Sequence, residues 1–428
     1  MPDAGDLTGL REVGAEVGLL PVVIVGASLG GLRSAEALRR SGYAGPITVF
    51  GDEPHAPYNR PPLSKDVLGG GDVTHASVAF PQRAATADVD WRLGTRIASA
   101  DLERRLVRTA DGTEVPYRAL IVATGLRPKR LSARTEGLAG TFALRTLDDA
   151  GALSDALTPG TQVVIAGSGF VGCEVAATAR QLGCEVTVVG SGKLPMLGPL
   201  GPALAEELMR RHEAHGVRFR LGTHVAEALG QDAVEGVRLA DGSEVACQVL
   251  VEAIGSLHNT EWLHGNDVDV DQGLRTDSAM RVLRADGRPW VDVFAVGDVA
   301  RFPNAIYGDV PASIEHWNIP TETAKRASRI LAMQLAEDPD VDAAIAERFA
   351  PVPSFWSDQY DIHLLAYGLP ALADRMELLA GRTDGECVYG YFVGARMVGV
   401  CGIGMRSEVM KFREEVSRYG HVAIGEPA

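Results

Sequence analysis

The sequence pattern that most constrains the fold occurs twice along the chain. Residues 21–53 read PVVIVGASLGGLRSAEALRRSGYAGPITVFGDE, and residues 163–193 read VVIAGSGFVGCEVAATARQLGCEVTVVGSGK. Each stretch predicts an apolar strand, a glycine-rich turn, a helix and a second strand. Glycines in such a turn let the backbone approach a pyrophosphate, whose charge is stabilised at the helix N-terminus. The repeat therefore predicts an α/β fold with two Rossmann-like dinucleotide-binding units.

The first copy predicts strands at residues 22–25 and 47–50, joined by the turn and an amphipathic helix. An acid after the second strand normally binds a ribose 2′-hydroxyl, and here Asp52 and Glu53 follow it. Ser28 replaces the middle glycine of the fingerprint, so this copy alone would be weak evidence. The apolar face of the helix is formed by Leu32, Ala35 and Leu38.

The second copy has its turn at residues 167–172 and predicts a second strand that ends at Val189. The place of the acid is taken by Gly190, which is followed by Ser191, Gly192 and Lys193. Two interpretations are open: this unit binds something else, or it binds a dinucleotide with a different ribose. An acid would repel a 2′-phosphate, so we expect NADPH to be accepted at least as well as NADH. The alternative is a slack loop that binds neither ribose well.

Composition and charge argue against several classes of partner. The 428 residues carry a net charge of −15, which argues against nucleic acid or an anionic membrane as the main partner. No apolar run reaches the roughly 18 residues that a membrane span needs. Residues 1–20 lack the basic start of a signal peptide, so we interpret them as a flexible leader of a soluble, cytoplasmic protein.

The cysteines indicate a reducing compartment and argue against disulfide chemistry. An odd, scattered set without a C-x-x-C motif suits the cytoplasm better than a disulfide framework. Flavoprotein disulfide reductases need a redox-active cysteine pair, and this sequence offers no such motif. The five residues are Cys173, Cys184, Cys247, Cys387 and Cys401.

Two further stretches suggest how the nucleotide units connect. Residues 119–125 read ALIVATG, and residues 292–300 read DVFAVGDVA. Taken alone, each could be a core strand followed by a turn. Together they match the usual crossing points of a two-dinucleotide flavoprotein, with one tightly held redox cofactor and one exchanging nicotinamide.

Several stretches together carry a specific resemblance. PYNRPPLSK at residues 57–65, the two glycine turns, VATG, AVGD, and FWSDQYDIHLLAYG at residues 355–368 occur in this order. The series resembles the FAD-dependent NAD(P)H:ferredoxin reductases of oxygenase systems. The resemblance implies FAD and NAD(P)H as cofactors, and a small iron–sulfur ferredoxin, feeding an oxygenase such as a cytochrome P450, as the partner.

The resemblance also implies a glutathione-reductase-like arrangement of domains. The FAD-binding domain would consist of residues 21–128 and 254–336, with a NAD(P)-binding domain at residues 129–253 inserted between the two pieces. A C-terminal α/β domain would follow at residues 337–428. Leu126-Arg127-Pro128 and the stretch AEDPDVDAA agree with breaks at these joints.

The resemblance implies a set of FAD contacts. Asp298 would accept a hydrogen bond from the ribityl chain, although it could also be an ordinary acid in a turn after a strand. Trp317 departs from the small aliphatic residue that is common at its position. The implied contacts are Gly26, Ser28, Leu29, Gly30, Gly31, Asp52, Glu53, Arg60, Lys65, Ile97, Ala123, Thr124, Gly125, Arg145, Gly297, Asp298 and Trp317.

A second set of residues is implied for NAD(P)H. Lys65 and Glu174 are the implied catalytic residues, and we expect them to pair across the boundary between the domains. An acid at position 174 is also favourable on helix-dipole grounds alone. The implied NAD(P)H contacts are Gly167, Gly169, Phe170, Val171, Gly172 and Glu174, to which the residues of the loop argued above, Gly190, Ser191 and Lys193, are added.

Electrons must leave for the ferredoxin through an exposed surface. Our candidates are Trp356 and three basic residues of one predicted helix, because ferredoxins are usually acidic. The alternative is that Trp356 is part of a core and that the basic residues form a solvated face. The three basic residues are Lys325, Arg326 and Arg329.

A metal site is not expected. His212 and His215 lie three residues apart on a predicted helix, among Arg210, Arg211 and Glu213. We interpret them as part of a charged, solvent-facing surface.

Two other functions stay open. NADH oxidases and peroxidases of the same fold place a redox cysteine soon after the first nucleotide unit, but residues 31–112 contain no cysteine. A flavoprotein that binds NAD(P)H and signals by its shape, without turnover, is the other alternative.

Overall fold

The computed structural model of the chain describes residues 20–70, 74–81 and 83–418. The leader expected at residues 1–20 lies outside the described residues, apart from residue 20. The chain divides into two compact units. Unit 1 contains the described residues of 20–58, 79–126 and 258–351, and unit 2 contains those of 59–78, 127–257 and 352–418.

The strands of the described residues are numbered in chain order. They are β1 (Val22–Val25), β2 (Ile47–Phe50), β3 (Asp90–Arg92), β4 (Ile97–Asp101), β5 (Leu106–Thr109), β6 (Glu114–Pro116), β7 (Ala119–Val122), β8 (Leu126–Pro128), β9 (Thr141–Phe142), β10 (Gln162–Ala166), β11 (Glu185–Gly190), β12 (Arg218–Leu221), β13 (Val225–Leu229), β14 (Gly236–Leu239), β15 (Glu244–Ala246), β16 (Val249–Glu252), β17 (Ser256–His258), β18 (Leu274–Arg275), β19 (Arg281–Leu283), β20 (Pro289–Ala295), β21 (Ala300–Pro303), β22 (Pro311–Ser313), β23 (Ser354–Gln359), β24 (Ile362–Gly368), β25 (Arg375–Gly381), β26 (Cys387–Val393) and β27 (Arg396–Ile403).

The helices are numbered in the same way. They are α1 (Leu29–Arg40), α2 (His75–Val78), α3 (Ala133–Glu136), α4 (Leu147–Ala156), α5 (Phe170–Gln181), α6 (Leu197–Ala214), α7 (Ile319–Leu335), α8 (Val341–Ala346), α9 (Arg406–Lys411) and α10 (Arg413–Ser417). Short 3₁₀ segments are found at Pro61–Ser64, Ala84–Thr86, Glu261–Leu263, Gly297–Val299 and Pro370–Leu372. None of the helices in the described ranges is both long and apolar enough to cross a membrane.

The main sheet of unit 1 has six strands in the order β19-β20-β7-β1-β2-β3. β1 pairs in parallel with β2 on one side and with β7 on the other, whereas β19 runs antiparallel to β20. Every residue of β1, β2 and β7 is buried, as is typical of a parallel sheet covered on both faces. The predictions of strands at residues 22–25 and 47–50 are confirmed, and the apolar face of α1 is buried as expected.

Unit 2 contains a second parallel sheet, in the order β12-β11-β10-β16-β9. α5 follows β10 as α1 follows β1, so the repeat in the sequence is also a repeat in the structure. The predicted end of β11 at Val189 is one residue too early. Gly190 still belongs to the strand because it lies in register with Leu221 of β12.

The C-terminal part of unit 2 is a five-stranded antiparallel sheet, in the order β23-β24-β27-β26-β25. The side chains of β23 alternate between two environments: Phe355, Ser357 and Gln359 are buried, whereas Trp356 and Asp358 are less buried. This period of two is that of a strand with one covered face. The expected α/β fold, with two Rossmann-like units and a C-terminal α/β part, is confirmed.

The domain boundaries expected from the sequence stay a prediction. The compact units group residues 59–78, which include the PPLSK stretch, with residues 127–257 and 352–418. The two-stranded pair β8–β17 lies where the chain passes from one unit to the other.

Candidate active site and dinucleotide turns

The first glycine turn, in unit 1, is held by close backbone packing. Gly26 has a φ of +115°, and a Cβ on it would lie 2.1 Å from the carbonyl oxygen of Ala123. A Cβ on Gly31 would lie 1.9 Å from the carbonyl oxygen of Gly26. Gly30 differs, because a Cβ there would make only ordinary contacts, at 3.5 Å, with Ala123 and Val296. Gly26 and Gly31 are therefore required by the backbone itself.

The second turn, in unit 2, repeats this geometry. Gly167 has a φ of +117°, and a Cβ on it would lie 2.0 Å from the carbonyl oxygen of Ala253. A Cβ on Gly172 would lie 2.1 Å from the carbonyl oxygen of Gly167. A Cβ on Gly169 would meet no atom within 4 Å. The outer two glycines thus shape the turn, and the middle one leaves open space in front of the helix.

Both turns fit the pyrophosphate of a dinucleotide. α1 begins at Leu29 and α5 begins at Phe170, directly after the tight turns. The first N–H groups of a helix have no acceptor within the helix, and they carry the positive end of its dipole. The space beside Gly169 lies at such an N-terminus. These features suit FAD at the first turn and NAD(P)H at the second, with Val171 39 % exposed beside the second turn.

The other residues implied as FAD contacts in unit 1 follow the ends of its strands. Ile97 begins β4 and is buried, whereas Asp52, after β2, is exposed. The neighbouring carboxylate of Glu53 accepts a hydrogen bond of 2.5 Å from the hydroxyl of Tyr58. Trp317 precedes α7 and is 39 % exposed.

The crossing points of unit 1 are held by hydrogen bonds between threonine side chains and the backbone. The Thr124 hydroxyl donates to the carbonyl of Asn259 at 2.7 Å, and Gly125 has a φ of +60°. Gly297 has a φ of +71°, and its N–H donates to the hydroxyl of Thr323 at 2.9 Å. Asp298 follows in the same 3₁₀ segment.

In unit 2, the two arginines implied as FAD contacts lie together. The Arg60 guanidinium donates to the carbonyl of Arg145 at 2.6 Å. The N–H of Arg145 donates to the carboxylate of Asp149 at 3.0 Å. The FAD-contact roles of all these residues stay predictions.

Lys65 and Glu174 form the expected ion pair. The Lys65 Nζ atom lies 2.8 Å from Glu174 Oε2, and the two side chains are 14 % and 7 % exposed. A buried pair of this kind is favourable only where further hydrogen bonds satisfy both groups. Both residues lie in unit 2, so the contact does not cross between the compact units.

The segment that carries Lys65 is anchored to α5. Pro61 and Pro62 start the 3₁₀ segment and restrict its backbone. The hydroxyl of Thr178, one helical turn after Glu174, donates to the carbonyl of Ser64 at 2.8 Å. The Ser64 hydroxyl donates to Glu174 Oε2 at 2.5 Å. The helix thus holds this segment at two successive turns.

Strand β23 covers the same face of α5. Phe170 and Phe355 meet edge to face, with ring centroids 4.9 Å apart. Two residues further along the strand, the Ser357 hydroxyl donates to Glu174 Oε1 at 2.6 Å. Phe170 and Glu174 are four residues apart on one face of the helix, and Phe355 and Ser357 are two residues apart on one face of the strand. The two pairs therefore lie opposite each other. Sequence reasoning missed Ser357, and the alternation of FWSDQ is the signal that could have found it.

The loop after β11 begins at a crowded position. A Cβ on Gly190 would lie 2.4 Å from the Oγ atom of Ser168 and 3.2 Å from a methyl group of Leu221. Gly190 is buried, whereas Ser191 and Lys193 are exposed. The side chain of Ser168 therefore takes up part of the space that an acid at position 190 would need.

The residues expected to dock a ferredoxin differ in how exposed they are to solvent. Lys325 and Arg329 of α7 have side chains 48 % and 49 % exposed. Arg326 is 7 % exposed and does not lie on that surface, because its guanidinium donates to the carbonyls of Ser278, Ile345 and Glu347. Trp356 belongs to unit 2 and is half-buried.

The interpretation of His212 as solvent-facing was wrong. His212 is fully buried, whereas His215 is exposed. The spacing of Leu204, Leu208 and His212 by four residues puts all three on the inner face of α6. That spacing was the signal in the sequence, and the neighbouring arginines obscured it.

The cysteines are not suited to redox chemistry. All five are buried free thiols. Burial raises the pKa of each of them, most strongly for the Cys173, Cys247 and Cys401 thiols. Since the thiolate is the reactive form, this environment disfavours disulfide exchange.

The sequence and the fold match known proteins over nearly the whole chain. The family described as pyridine nucleotide-disulphide oxidoreductase matches residues 20–323, and a reductase C-terminal family matches residues 354–424. The chain is similar to the anthranilate 1,2-dioxygenase system ferredoxin–NAD(+) reductase component of Burkholderia cepacia, with 35 % identity over 401 residues, 91 % of this chain and 92 % of the relative.

Two further similarities agree with this match. The biphenyl dioxygenase system ferredoxin–NAD(+) reductase component of Paraburkholderia xenovorans is 37 % identical over 282 residues, 66 % of this chain and 68 % of the relative. A chain in the crystal structure of the covalent putidaredoxin reductase–putidaredoxin complex is 28 % identical, with a TM-score of 0.83 over 93 % of both chains. The chain therefore belongs to the pyridine nucleotide-disulphide oxidoreductase family and, within it, to the FAD-dependent ferredoxin reductases of oxygenase systems.

Proposed function

We propose that this protein passes electrons from NAD(P)H through FAD to a small iron–sulfur ferredoxin that feeds an oxygenase such as a cytochrome P450. The observation that supports this most strongly is the repeated turn geometry, since each compact unit presents one turn that fits a pyrophosphate. Two dinucleotide sites in one chain suit a tightly held flavin and an exchanging nicotinamide. When bound, FAD supplies the redox chemistry, because it takes up two electrons and releases them singly.

Lys65 and Glu174 would orient the reacting groups. An ammonium group has three N–H donors, and two of them are used, by Glu174 at 2.8 Å and by the carbonyl of Pro61 at 3.1 Å. The third has no partner among the described residues. This third N–H would be available to a bound cofactor, while the Glu174 carboxylate holds the ammonium group in place. Hydride transfer needs no nucleophile or proton-relay triad from the protein.

The second turn would accept NADPH at least as well as NADH. Position 190 lacks the acid that selects an unsubstituted ribose, and Ser168 narrows the space for one. Ser191 and Lys193 are exposed on the loop that follows. In this position, a hydroxyl and an ammonium group can bind a 2′-phosphate.

Lys325 and Arg329, the exposed basic residues of α7, form the ferredoxin-docking surface that we propose for unit 1. Trp356, in unit 2, stays a separate candidate for a contact with the ferredoxin. Ferredoxins are usually acidic, and complementary charge chiefly raises the rate of association. The positive charge of this surface is moderate, because Lys325 pairs with Glu322 at 2.7 Å and Arg329 pairs with Glu347 at 2.7 Å.

We also propose that the protein works in the cytoplasm. Its five buried free thiols suit a reducing compartment. The raised pKa values of the thiols also favour a ferredoxin over a disulfide as the electron acceptor.

The test is anaerobic reduction followed by electron transfer. We expect purified protein to carry FAD non-covalently, and NADPH or NADH to bleach the flavin absorbance. Adding a ferredoxin should then give rapid turnover, whereas glutathione disulfide should give none. Protein that stays colourless after reconstitution with FAD would contradict the flavin assignment. A flavin that is bleached but turns over with no member of a ferredoxin panel would favour a sensor.

A further inference from the structure

Glu174 receives hydrogen bonds from three directions. Lys65 and the Ser64 hydroxyl donate to Oε2, at 2.8 and 2.5 Å, and the Ser357 hydroxyl donates to Oε1 at 2.6 Å. The residue itself is 6 % exposed. Both carboxylate oxygens are therefore satisfied by the protein, and Lys65 supplies only part of this environment.

Behind Ser357, a chain of buried polar groups continues to α6. The amide nitrogen of Gln359 donates to the Ser357 Oγ atom at 2.9 Å. The amide oxygen of Gln359 lies 2.7 Å from the Nε2 atom of His212. Ser357 and His212 are fully buried and Gln359 is 2 % exposed. Polar groups this deep in a protein are costly unless they are paired.

The chemistry of the groups gives this chain one direction. An amide nitrogen can only donate, so Ser357 must accept from Gln359 and direct its single hydrogen to Glu174. An amide oxygen can only accept, so the Nε2 atom of His212 must carry a hydrogen. Every hydrogen in the chain therefore points toward Glu174. The chain therefore ends on the Oε1 atom of Glu174 as a hydrogen-bond acceptor.

The state of His212 agrees with this direction. Burial lowers the pKa of His212 to about 4, so the ring is neutral at neutral pH and its one hydrogen lies on Nε2. The Nδ1 atom of His212 has no hydrogen-bond partner among the described residues. The ring is positioned by edge-to-face contacts with Phe219 and Tyr360, at centroid distances of 6.0 and 5.2 Å.

We propose that Ser357, Gln359 and His212 are positioning residues, which hold the Glu174 carboxylate oriented toward Lys65 through a one-way chain of hydrogen bonds. The inference rests on the proposed function, in which Lys65 and Glu174 orient the reacting groups. Lys65 of the 3₁₀ segment pairs with Glu174 directly, Cys173 is its neighbour on α5, and His212 of α6 connects to it only through Gln359 and Ser357. β23 faces Glu174 with Phe355, Ser357 and Gln359, since Asp358 lies on its exposed side.

The first measurement is independent of activity. Burial lowers the pKa of both His212 and His316 to about 4, so both rings should stay neutral from pH 8 to pH 5 in ¹⁵N-histidine NMR of the FAD-loaded protein. We expect the His212 signal to be that of the Nε2–H form. The chain has ten histidines, so the His212→Gln variant assigns that signal by its loss. A His212 ring that carries its hydrogen on Nδ1, or that titrates above pH 6, would overturn the proposal.

The second measurement is the pH profile of flavin reduction by NADPH in a single turnover. Loss of a donor raises the pKa of a carboxylate. We therefore expect the acid limb of the profile to move to higher pH in Ser357→Ala and Gln359→Met, with KM for NADPH little changed. His212→Leu should move the limb in the same direction, and His212→Gln, which still has a donor for Gln359, should restore the wild-type profile.

A matched control is available in the same hairpin. The Tyr360 hydroxyl is buried and has no hydrogen-bond partner among the described residues, and its ring lies beside His212. Tyr360→Phe should therefore leave the profile unchanged. Profiles of Ser357→Ala and Gln359→Met that overlay the wild type would overturn the proposal. Should one of them fold poorly, the other and the NMR signal of His212 still decide. Failure of ferredoxin reduction alone would concern only the proposed function.

Discussion

Gly190 ends β11 at the place where a dinucleotide-binding unit normally carries an acid. A carboxylate there would accept a hydrogen bond from a 2′-hydroxyl, worth about 1.5–3 kcal/mol for a charged acceptor. Against a 2′-phosphate it would be repulsive, by about 4 kcal/mol per pair of unit charges at 4 Å and an effective dielectric of 20. Glycine removes both terms, and the second is the larger. The balance thus moves toward NADPH.

We expect the wild type to use NADPH at least as efficiently as NADH, measured as the ratio of kcat/KM. Lys193→Ala should lower kcat/KM for NADPH by about threefold to tenfold, because it removes a charge near a phosphate, and should leave NADH unaffected. Gly190→Glu should favour NADH, best when combined with Ser168→Gly, since a Cβ at position 190 would lie 2.4 Å from Ser168 Oγ. Ser168→Gly alone is the control. A wild type that strongly prefers NADH would refute this prediction.

At the scale of single elements, α7 shows how a helix distributes its charges. Its buried face includes Thr323, Ala327 and Ile330. Arg326 lies on the same side, because it comes three residues after Thr323 and four residues before Ile330. The Arg326 guanidinium therefore donates to backbone carbonyls and to Glu347. The charges that remain outside are those of Lys325 and Arg329, each beside an acid. A docking surface on α7 is therefore limited to these two residues.

We expect the double variant Lys325→Glu, Arg329→Glu to reduce the second-order rate of ferredoxin reduction by about threefold to tenfold at low salt, and to weaken its salt dependence. Glu322→Gln, which frees Lys325 from its acid, should raise the rate. Arg288→Glu is a control, because this side chain is 78 % exposed but lies outside α7. Stopped-flow measurements over a series of salt concentrations would decide. Equal rates for the double variant and the wild type would remove α7 from the docking surface.

At the scale of the whole molecule, buried histidines link stability to pH. Burial lowers the pKa of His212 in unit 2 and of His316 in unit 1, each to about 4 from an ordinary value of 6.5. The unfolded chain therefore binds protons at these rings before the folded protein does. The contribution of these rings to the free energy of unfolding is therefore fully present above pH 6.5. It is lost as the pH falls from 6.5 to about 4. The loss approaches about 3 kcal/mol for a ring such as His212.

We expect Tm to fall steadily between pH 6.5 and 4, and His212→Gln to make that fall less steep. Glutamine keeps a donor for Gln359 but takes up no proton in this range, so only the proton-linked part of the stability changes. His264→Gln is the control, because His264 is exposed. Calorimetry at half-unit pH steps measures the slopes. A His212→Gln variant with the wild-type slope would show that this ring is not the linked group.

The sequence by itself determined the two nucleotide-binding units and the family. Strands such as Val22–Val25 are runs of apolar residues next to a glycine turn, so every signal needed to place them lies within a few residues. Gly31 and Gly172 are required by the backbone of their own turns and can be read in the same way, whereas Gly26 and Gly167 also meet carbonyl groups far along the chain, at Ala123 and Ala253. The contact of Lys65 with Glu174 was expected from the resemblance to the ferredoxin reductases, not from spacing.

Only the tertiary structure decided which side chains meet. Arg326 and His212 look solvent-facing in the sequence, and both are buried because the register of a helix turns them inward. Ser357 contacts Glu174 directly, and Gln359 does so through Ser357, only because β23 packs on α5. Ser357 and Glu174 are 183 residues apart in the sequence. Local patterns report the period of an element, but a contact between distant elements depends on how they pack against each other. The polar chain behind Glu174 therefore belongs to the fold and not to any motif.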